Sequence, residues 1–125
     1  MIWRALRMVI DTGLHSMRMS DEKITQLYRK HLWLIPNDVI VNEIDRSLRD
    51  PGSLTAYMIG RKYLIALRNE AKAALGPKQF NLKDFHYHVL SQGPTSTLPN
   101  VRSRINKYIK CTKNRLDEGC ENFSL

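Results

Sequence analysis

Three residues near the amino terminus have the types and spacing that acid–base chemistry uses. Arg7, Asp11 and His15 follow one another at intervals of four, so on a helix they share one face, with a drift of about 80°. An aspartate one turn before a histidine can orient the imidazole for proton transfer or support a metal-bound histidine. The alternative is a surface or interhelical salt-bridge ladder, a common role for charged residues at this spacing.

A second stripe of candidate residues lies further along the chain. Its members fall within about 60° of one another on a helix, and they are Tyr57, Arg61, Leu64 and Arg68. A phenol can donate a hydrogen bond to a developing oxyanion, and two guanidinium groups need an anionic partner. That partner is either the carboxylate of a ligand or a carboxylate on a neighbouring helix, in which case the stripe is structural.

Other motifs that carry chemistry are missing from the sequence. His86 and His88 would lie about 200° apart on a helix, so the pair is not expected to bind a metal, and His86 is interpreted as an interhelical hydrogen-bonding residue. There is no H-E-x-x-H segment, glycine-rich phosphate loop, zinc-type cysteine spacing or nucleophile elbow. The chain is therefore predicted to contain no metal ligands and not to be a self-sufficient enzyme.

The composition is that of a small folded protein with a basic surface. Of 125 residues, 42% are hydrophobic and 26% are charged, and the formal net charge is +8. These proportions argue against global disorder, and the charge favours a polyanionic partner. An acid-free basic stretch runs from Arg102 to Arg115, but aromatic residues do not alternate with its basic ones, so nucleic acid is not the favoured partner.

Helical periodicity predicts an all-α fold of about six helices. The predicted helices are separated by proline and glycine, and several begin at capping residues, namely Ser20, Asn37, Ser53 and Asn81. The longest is expected over residues 54–75, and the last over residues 99–116. The short helix after Pro36 is predicted to bury Val41, Ile44 and Leu48 on one face.

These helices are assigned to one region, residues 1–116, followed by a tail over 117–125 that is predicted to be disordered. Cys111 and Cys120 are too few for a disulfide framework or a four-ligand zinc site. A single disulfide between them would close the tail, and the sequence leaves their redox state open.

The amino-terminal helical pattern begins at Ile2 without a capping residue, as if the chain began inside an element of a larger protein. Arg4 and Arg7 interrupt the apolar residues of positions 1–10. Neither a secretory signal nor a membrane span is therefore predicted there.

Several short motifs occur in an order that is typical of one family. Residues 4–15 read R-A-L-R-M-V-I-D-T-G-L-H, residues 51–60 contain P-G followed by Y-x-I-G, and residues 74–93 contain A-L-G and F-H-x-x-V-L-x-x-G. Together they resemble the family of domain of unknown function 885, over roughly residues 3 to 109. Its members are long helical proteins similar to zinc carboxypeptidases and related gluzincins.

The resemblance implies a zinc site in the full-length family, formed by a His-Glu-x-x-Pro-Gly-His segment and a later glutamate. Neither precedes the D-T-G-L-H segment in this sequence. The resemblance places His15 beside that site as an assisting catalytic residue, with Asp11 and Arg7 supporting it. Zinc is thus expected in the family and not in this chain.

The same resemblance implies roles for the second stripe. Tyr57 would stabilise an oxyanion, and Arg68 together with Arg61 would hold a substrate carboxylate. Two positions depart from the family pattern, since Ser53 replaces a glutamine and Tyr87 replaces a common aspartate. These changes put the substrate contacts, or catalysis itself, in question.

The sequence is therefore interpreted as the carboxy-terminal part of a zinc-metallopeptidase-like protein, present as a truncated, partial or degenerate product that is inactive alone. A peptide substrate is expected only in the full-length context. The alternative is a free-standing basic helical module that binds a protein or nucleic acid through residues 102–115. Self-association through uncovered apolar faces is also expected.

Overall fold

The computed structural model describes residues 2–121 and 123, and within them every regular element is a helix. The all-α prediction is confirmed. The six helices are α1 (Ile2–Met17), α2 (Asp21–His31), α3 (Asn37–Arg49), α4 (Ser53–Gln79), α5 (Leu82–Leu90) and α6 (Leu98–Lys113). Among the described residues, no helix combines the length and apolar character needed to cross a membrane.

Capping side chains set the starts of three helices. Ser20 and Asn81 accept hydrogen bonds from backbone N–H groups in the first turns of α2 and α5, as the sequence predicts. Thr97 does the same for α6, which begins one residue earlier than expected. Pro36 occupies the N-cap position of α3, and its side chain cannot accept a hydrogen bond. Asn37, which was predicted to be the cap, is the first residue of the helix instead.

The longest helix is interrupted near its end. Gly76 has φ 68° and ψ 177°, outside the helical region, and Pro77 follows it at the start of a last turn. The uninterrupted part covers residues 53–75, which is the predicted span extended by one residue, so Ser53 is the first helical residue and not the cap. A glycine suits this position because the left-handed φ is strained for residues with a Cβ.

The chain divides into two compact units, Met1–Arg61 and Lys62–Leu125. In the first unit, α1, α2 and α3 each contribute two buried residues four positions apart, so that each pair lies on one face of its helix. The six residues are Leu6, Ile10, Ile24, Tyr28, Ile40 and Ile44.

The predicted buried face of α3 is wrong by a rotation of about one residue. Val41 and Leu48 are 62% and 54% exposed, whereas Ile44 is buried as expected. The face that is buried also contains Glu43 and Ser47. Polar contacts to α1, described below, account for this rotation, because they require Glu43 and the Ser47 backbone to face that helix.

The second unit has its own apolar core. It combines residues of α4, α5 and α6 with two residues after α6, and its buried members are Leu67, Ala71, Leu75, Phe85, Val101, Ile105, Tyr108, Cys111, Cys120 and Phe123. Cys111 and Cys120 form a disulfide. Of the tail predicted to be disordered, Cys120 and Phe123 are buried, while residues 122, 124 and 125 lie outside the described part.

Candidate functional site

Arg7 joins α1 to α3 through a bidentate ion pair with Glu43. Its Nε donates to Glu43 Oε2 and its Nη2 to Oε1, both at 2.6 Å, and the two side chains are only 16% and 11% exposed. Burial alone would raise the pKa of Glu43, but the hydrogen bonds and charge of Arg7, together with hydrogen bonds from Trp3 and Tyr28, lower it. Arg7 is therefore committed to a structural pair.

Asp11 joins α1 to the start of α4. Its Oδ1 accepts from the Gly52 N–H at 3.1 Å, and its Oδ2 accepts from the Thr55 N–H at 3.1 Å and the Thr55 hydroxyl at 2.8 Å. Because the first N–H groups of a helix lack partners within it, Asp11 serves as a cap from another helix. Burial would raise the pKa of Asp11, yet these three hydrogen bonds together lower it.

His15 completes this arrangement one turn after Asp11. Its Nε2 lies 3.0 Å from the Ser47 carbonyl oxygen and 3.6 Å from Asp11 Oδ1. A carbonyl can only accept, so Nε2 carries a proton and Nδ1 is the proton acceptor in the neutral ring. With a side chain that is 30% exposed, His15 lines a cleft of about 340 Å³.

The described residues do not fit a zinc ion. None of their His, Cys, Asp and Glu side chains form a group of three or more placed to hold a metal. Asp11 and His15 lie within 3.6 Å of each other, but both oxygens of Asp11 already accept hydrogen bonds from Gly52 and Thr55. No step of a reaction is therefore assigned to a metal held by these residues.

Tyr57 lines a different cleft from His15. This second cleft, of about 440 Å³, is formed with Asp50, Ser53 and other residues around the start of α4. Tyr57 is 48% exposed. The structure thus brings Asp11 and His15 together and leaves Tyr57 outside their cleft.

Comparison with known protein families shows which family the chain belongs to. Residues 1–103 match the family described as bacterial protein of unknown function, DUF885. The chain belongs to the DUF885 family. No curated protein and no solved structure matches it. The family's description names no activity, so the similarity to zinc carboxypeptidases remains a prediction.

The D-T-G-L-H segment of this DUF885 chain has a clear structural role. Asp11 caps α4, and His15 binds the Ser47 carbonyl. Gly13 between them is buried under Met19, whose Cε would lie 2.5 Å from a Cβ at that position. A larger residue would force the methionine aside, so the glycine lets the chain fold back closely after α1.

Among the described residues, the two arginines of the second stripe have no assembled partner. Arg61 is half-buried and Arg68 is exposed, and neither forms a hydrogen bond or ion pair with any residue that the structure describes. Arg61 ends the first unit, and Arg68 lies in the second. Their guanidinium groups are available to an anionic ligand.

Three residues that form contacts at this DUF885 site were not predicted from the sequence: Glu43, Ser47 and Thr55. A helical stripe at positions 40, 43, 44 and 47 contains the first two, and its i, i+3, i+4, i+7 spacing is a signal that could have found them. Thr55 follows the Pro51-Gly52 turn, but nothing local indicates that its hydroxyl meets a carboxylate from α1.

The two histidines of the H-x-H pair lie in contrasting environments, and the predicted interhelical hydrogen bond of His86 is not found among the described residues. His86 is exposed, and no hydrogen bond to it is formed by the described residues, whereas His88 is fully buried. The His88 ring stacks on Phe123 at 4.7 Å and lies 4.9 Å from the Tyr108 ring. Burial lowers the pKa of His88, and Arg104 lowers it further, against the opposing effect of Asp84.

Proposed function

We propose that this chain forms one wall of a zinc-metallopeptidase-like site and does not hydrolyse peptides alone. The observation that supports the proposal is the Asp11–His15 pair, in which Nε2 of His15 contacts the Ser47 carbonyl and the His15 side chain lines a cleft. A histidine in this state can exchange a proton with a bound ligand. The metal ligands that the family resemblance implies would come from another chain or segment.

Within this proposal, each residue of the chain has a limited task. Asp11 fixes α1 against the start of α4 and so positions His15. Tyr57 donates its O–H to an oxyanion, and Arg68 and Arg61 bind a substrate carboxylate. The exposure of Tyr57 and Arg68 is compatible with contact to a ligand from solvent.

The test is a complementation assay. The chain is assayed on a fluorogenic peptide alone and after mixing with a second DUF885-family chain that carries the His-Glu-x-x-Pro-Gly-His segment. We expect hydrolysis only in the mixture, and a loss of about tenfold or more with His15→Ala, because one acid–base group contributes at least that much. His31→Ala is the matched control, since His31 is an exposed histidine in the same unit.

Two results contradict the proposal. One is a mixture whose activity is the same with His15→Ala as with the unchanged chain. The other is a mixture without activity although gel filtration shows that the two chains have associated.

The alternative function, a basic module that binds a protein or nucleic acid, depends on residues 102–115. Part of this charge is already engaged, because Arg102 donates to Glu70 and to the Tyr63 hydroxyl and Lys110 donates to the Glu118 carbonyl. A salt titration of DNA binding distinguishes the two functions. A steep loss of affinity with salt supports the module, and no binding at low salt removes it.

Self-association is proposed for the same chain on the basis of its exposed apolar side chains. Trp33 and Leu34 are 89% and 97% exposed beside a cleft lined mainly by apolar residues. Exposed apolar surface of this kind favours association in water. Sedimentation at increasing concentration would show oligomers, and a concentration-independent monomer would contradict this expectation.

A further inference from the structure

A polar cleft in the second unit is not used by the proposed function. Its volume is about 240 Å³, and it is lined by Gln92, Asn100, Ser103, Arg104 and Lys107. The last four have i, i+3, i+4, i+7 spacing on α6, so they form one face of that helix. This face lies beside the one that carries the buried residues of α6.

Each of these side chains can donate a hydrogen bond, and no carboxylate is among the described lining residues. Arg104 and Lys107 form no ion pair with any residue in the described part of the chain. Arg102 on the same helix, by contrast, is neutralised by Glu70. Among the described residues, the cleft therefore holds two positive charges without a counter-charge.

The guanidinium of Arg104 is held in place. It stacks over the Phe123 ring at 4.2 Å, and the Lys107 ammonium lies 5.4 Å from the same ring. Arg104 Nε is buried and has no acceptor among the described residues. Asp84, whose charge acts on His88, forms no ion pair with Arg104 within the described residues. The Arg104 guanidinium is thus a fixed cation with an unused N–H donor, which favours the binding of an anion.

We infer that this cleft binds a small phosphate-type dianion, either inorganic phosphate or a compact phosphomonoester. The fork of Arg104 suits tetrahedral oxyanions, and Lys107, Ser103 and the two amides can satisfy the remaining oxygens. Its volume of about 240 Å³ lies below the roughly 300–1,000 Å³ that is typical of sites for larger organic ligands. The inference is independent of the peptidase proposal.

The test is an NMR titration of the full chain with inorganic phosphate at constant ionic strength. We expect saturable shifts at Ser103, Arg104 and Lys107, and affinity reduced about tenfold by Arg104→Gln, the size of one charged hydrogen bond. Lys113→Gln is the matched control, because it removes one charge from the same helix outside the cleft. Its affinity should remain within about twofold, as expected for an exposed charge.

Additional measurements distinguish phosphate binding in the cleft from other causes of a chemical-shift change. Acetate at the same concentration should bind more weakly than phosphate, because it lacks the second charge. Lys107→Gln provides a second variant that leaves the Arg104–Phe123 stack in place, so a folding defect in Arg104→Gln does not decide the result. Amide spectra report the fold of each variant.

The inference is overturned if phosphate shifts do not saturate, or if Arg104→Gln and Lys107→Gln bind like the unchanged chain. It is also overturned if Lys113→Gln weakens binding as much as they do, since the effect would then be general attraction to a basic chain. A DNA duplex that binds tightly and equally to all variants would indicate the basic-module function and not this cleft.

Discussion

The two units of the chain bury their ionisable groups in opposite ways. In the first unit, Asp11 and Glu43 are buried as charged groups, and each accepts several hydrogen bonds. In the second, His88 is buried with both ring nitrogens unpaired among the described residues. Burial therefore favours the neutral imidazole, while the two carboxylates keep their charge because their partners offset desolvation.

This contrast indicates what holds each unit together. The helices of the first unit share a small apolar core and are joined by polar contacts from one face of α1. The second unit has the larger apolar core, and a disulfide ties its last segment to α6. Charge-removing substitutions should therefore damage the first unit more than the second, and reduction should act on the second.

The largest effect is expected from breaking the pair between Arg7 and Glu43. Glu43→Ala should lower the free energy of unfolding by about 3 kcal/mol, because it leaves a largely buried guanidinium without its partner. Both tryptophans, Trp3 and Trp33, lie in the first unit. Tryptophan fluorescence in a urea titration therefore reports on that unit.

The control for this prediction is the pair of Asp45 and Arg49 on α3, whose side chains are 48% and 76% exposed. Asp45→Asn should cost no more than about 0.5 kcal/mol, as is typical of exposed pairs. Equal effects of the two substitutions would show that the Arg7–Glu43 pair does not stabilise the unit.

The second largest effect concerns the disulfide. Reduction, or Cys120→Ser, should destabilise the second unit by about 2.5 kcal/mol, because the bond restricts the unfolded chain across a separation of 9 residues. Amide exchange at Val101 and Ile105, followed in increasing urea, measures the loss in the free energy of unfolding. Unchanged protection of these amides after reduction would contradict the structural role of the bond.

Asp11→Ala should cost about 2 kcal/mol, because the N–H groups of Gly52 and Thr55 lose their acceptor. The pKa of Asp11 is lowered from its ordinary 3.8, so the unfolded chain takes up the proton first. The stabilisation is complete above pH 3.8 and is lost as pH falls through the lowered pKa. Asp11→Asn should flatten this part of the pH profile.

Asp50→Asn is the control for Asp11, since Asp50 is an exposed aspartate in the same unit. It should leave the acid branch of the stability profile unchanged. A profile that is flattened equally by both substitutions would mean that Asp11 is not the group responsible.

The smallest effect is expected at His88. Its pKa lies below the ordinary 6.5, so below that pH the unfolded chain binds the proton more readily and stability falls, by at most about 1.4 kcal/mol per pH unit. His88→Leu should remove this dependence and stabilise the unit by about 1 kcal/mol at pH 8, because an unpaired polar group is replaced. Circular dichroism in urea at pH 5 to 8 measures both effects.

His86→Leu is the matched control, being an exposed histidine on the same helix. It should keep the pH dependence of the unchanged chain. A pH dependence that survives His88→Leu would assign the effect to another group.

The parts of the fold that depend on neighbours in sequence were predictable. Ser20 and Asn81 cap their helices as expected, and the uninterrupted part of α4 spans the predicted residues. Such features depend on backbone donors within one turn, which the local sequence determines. The register of Asp11 and His15 on one face of α1 follows from helical geometry in the same way.

The features that were not predicted correctly depend on contacts between residues that are far apart in the sequence. Val41 and Leu48 look like core residues, but Glu43 turns α3 so that its carboxylate meets Arg7, 36 residues away. His88 is buried because Phe123 packs against it. No local sequence pattern predicts a contact between residues this far apart in the chain. Long-range partners determine such burial, so periodicity alone cannot assign it.

We expect the family-motif residues of this chain, Asp11 and His15 above all, to join helices and line a cleft without holding a metal. Equilibrium dialysis of the isolated chain against zinc, followed by metal analysis, tests this directly. The account predicts no stoichiometric zinc and no hydrolysis of a fluorogenic peptide. Retention of one tightly bound zinc per chain, lost on His15→Ala, would contradict it.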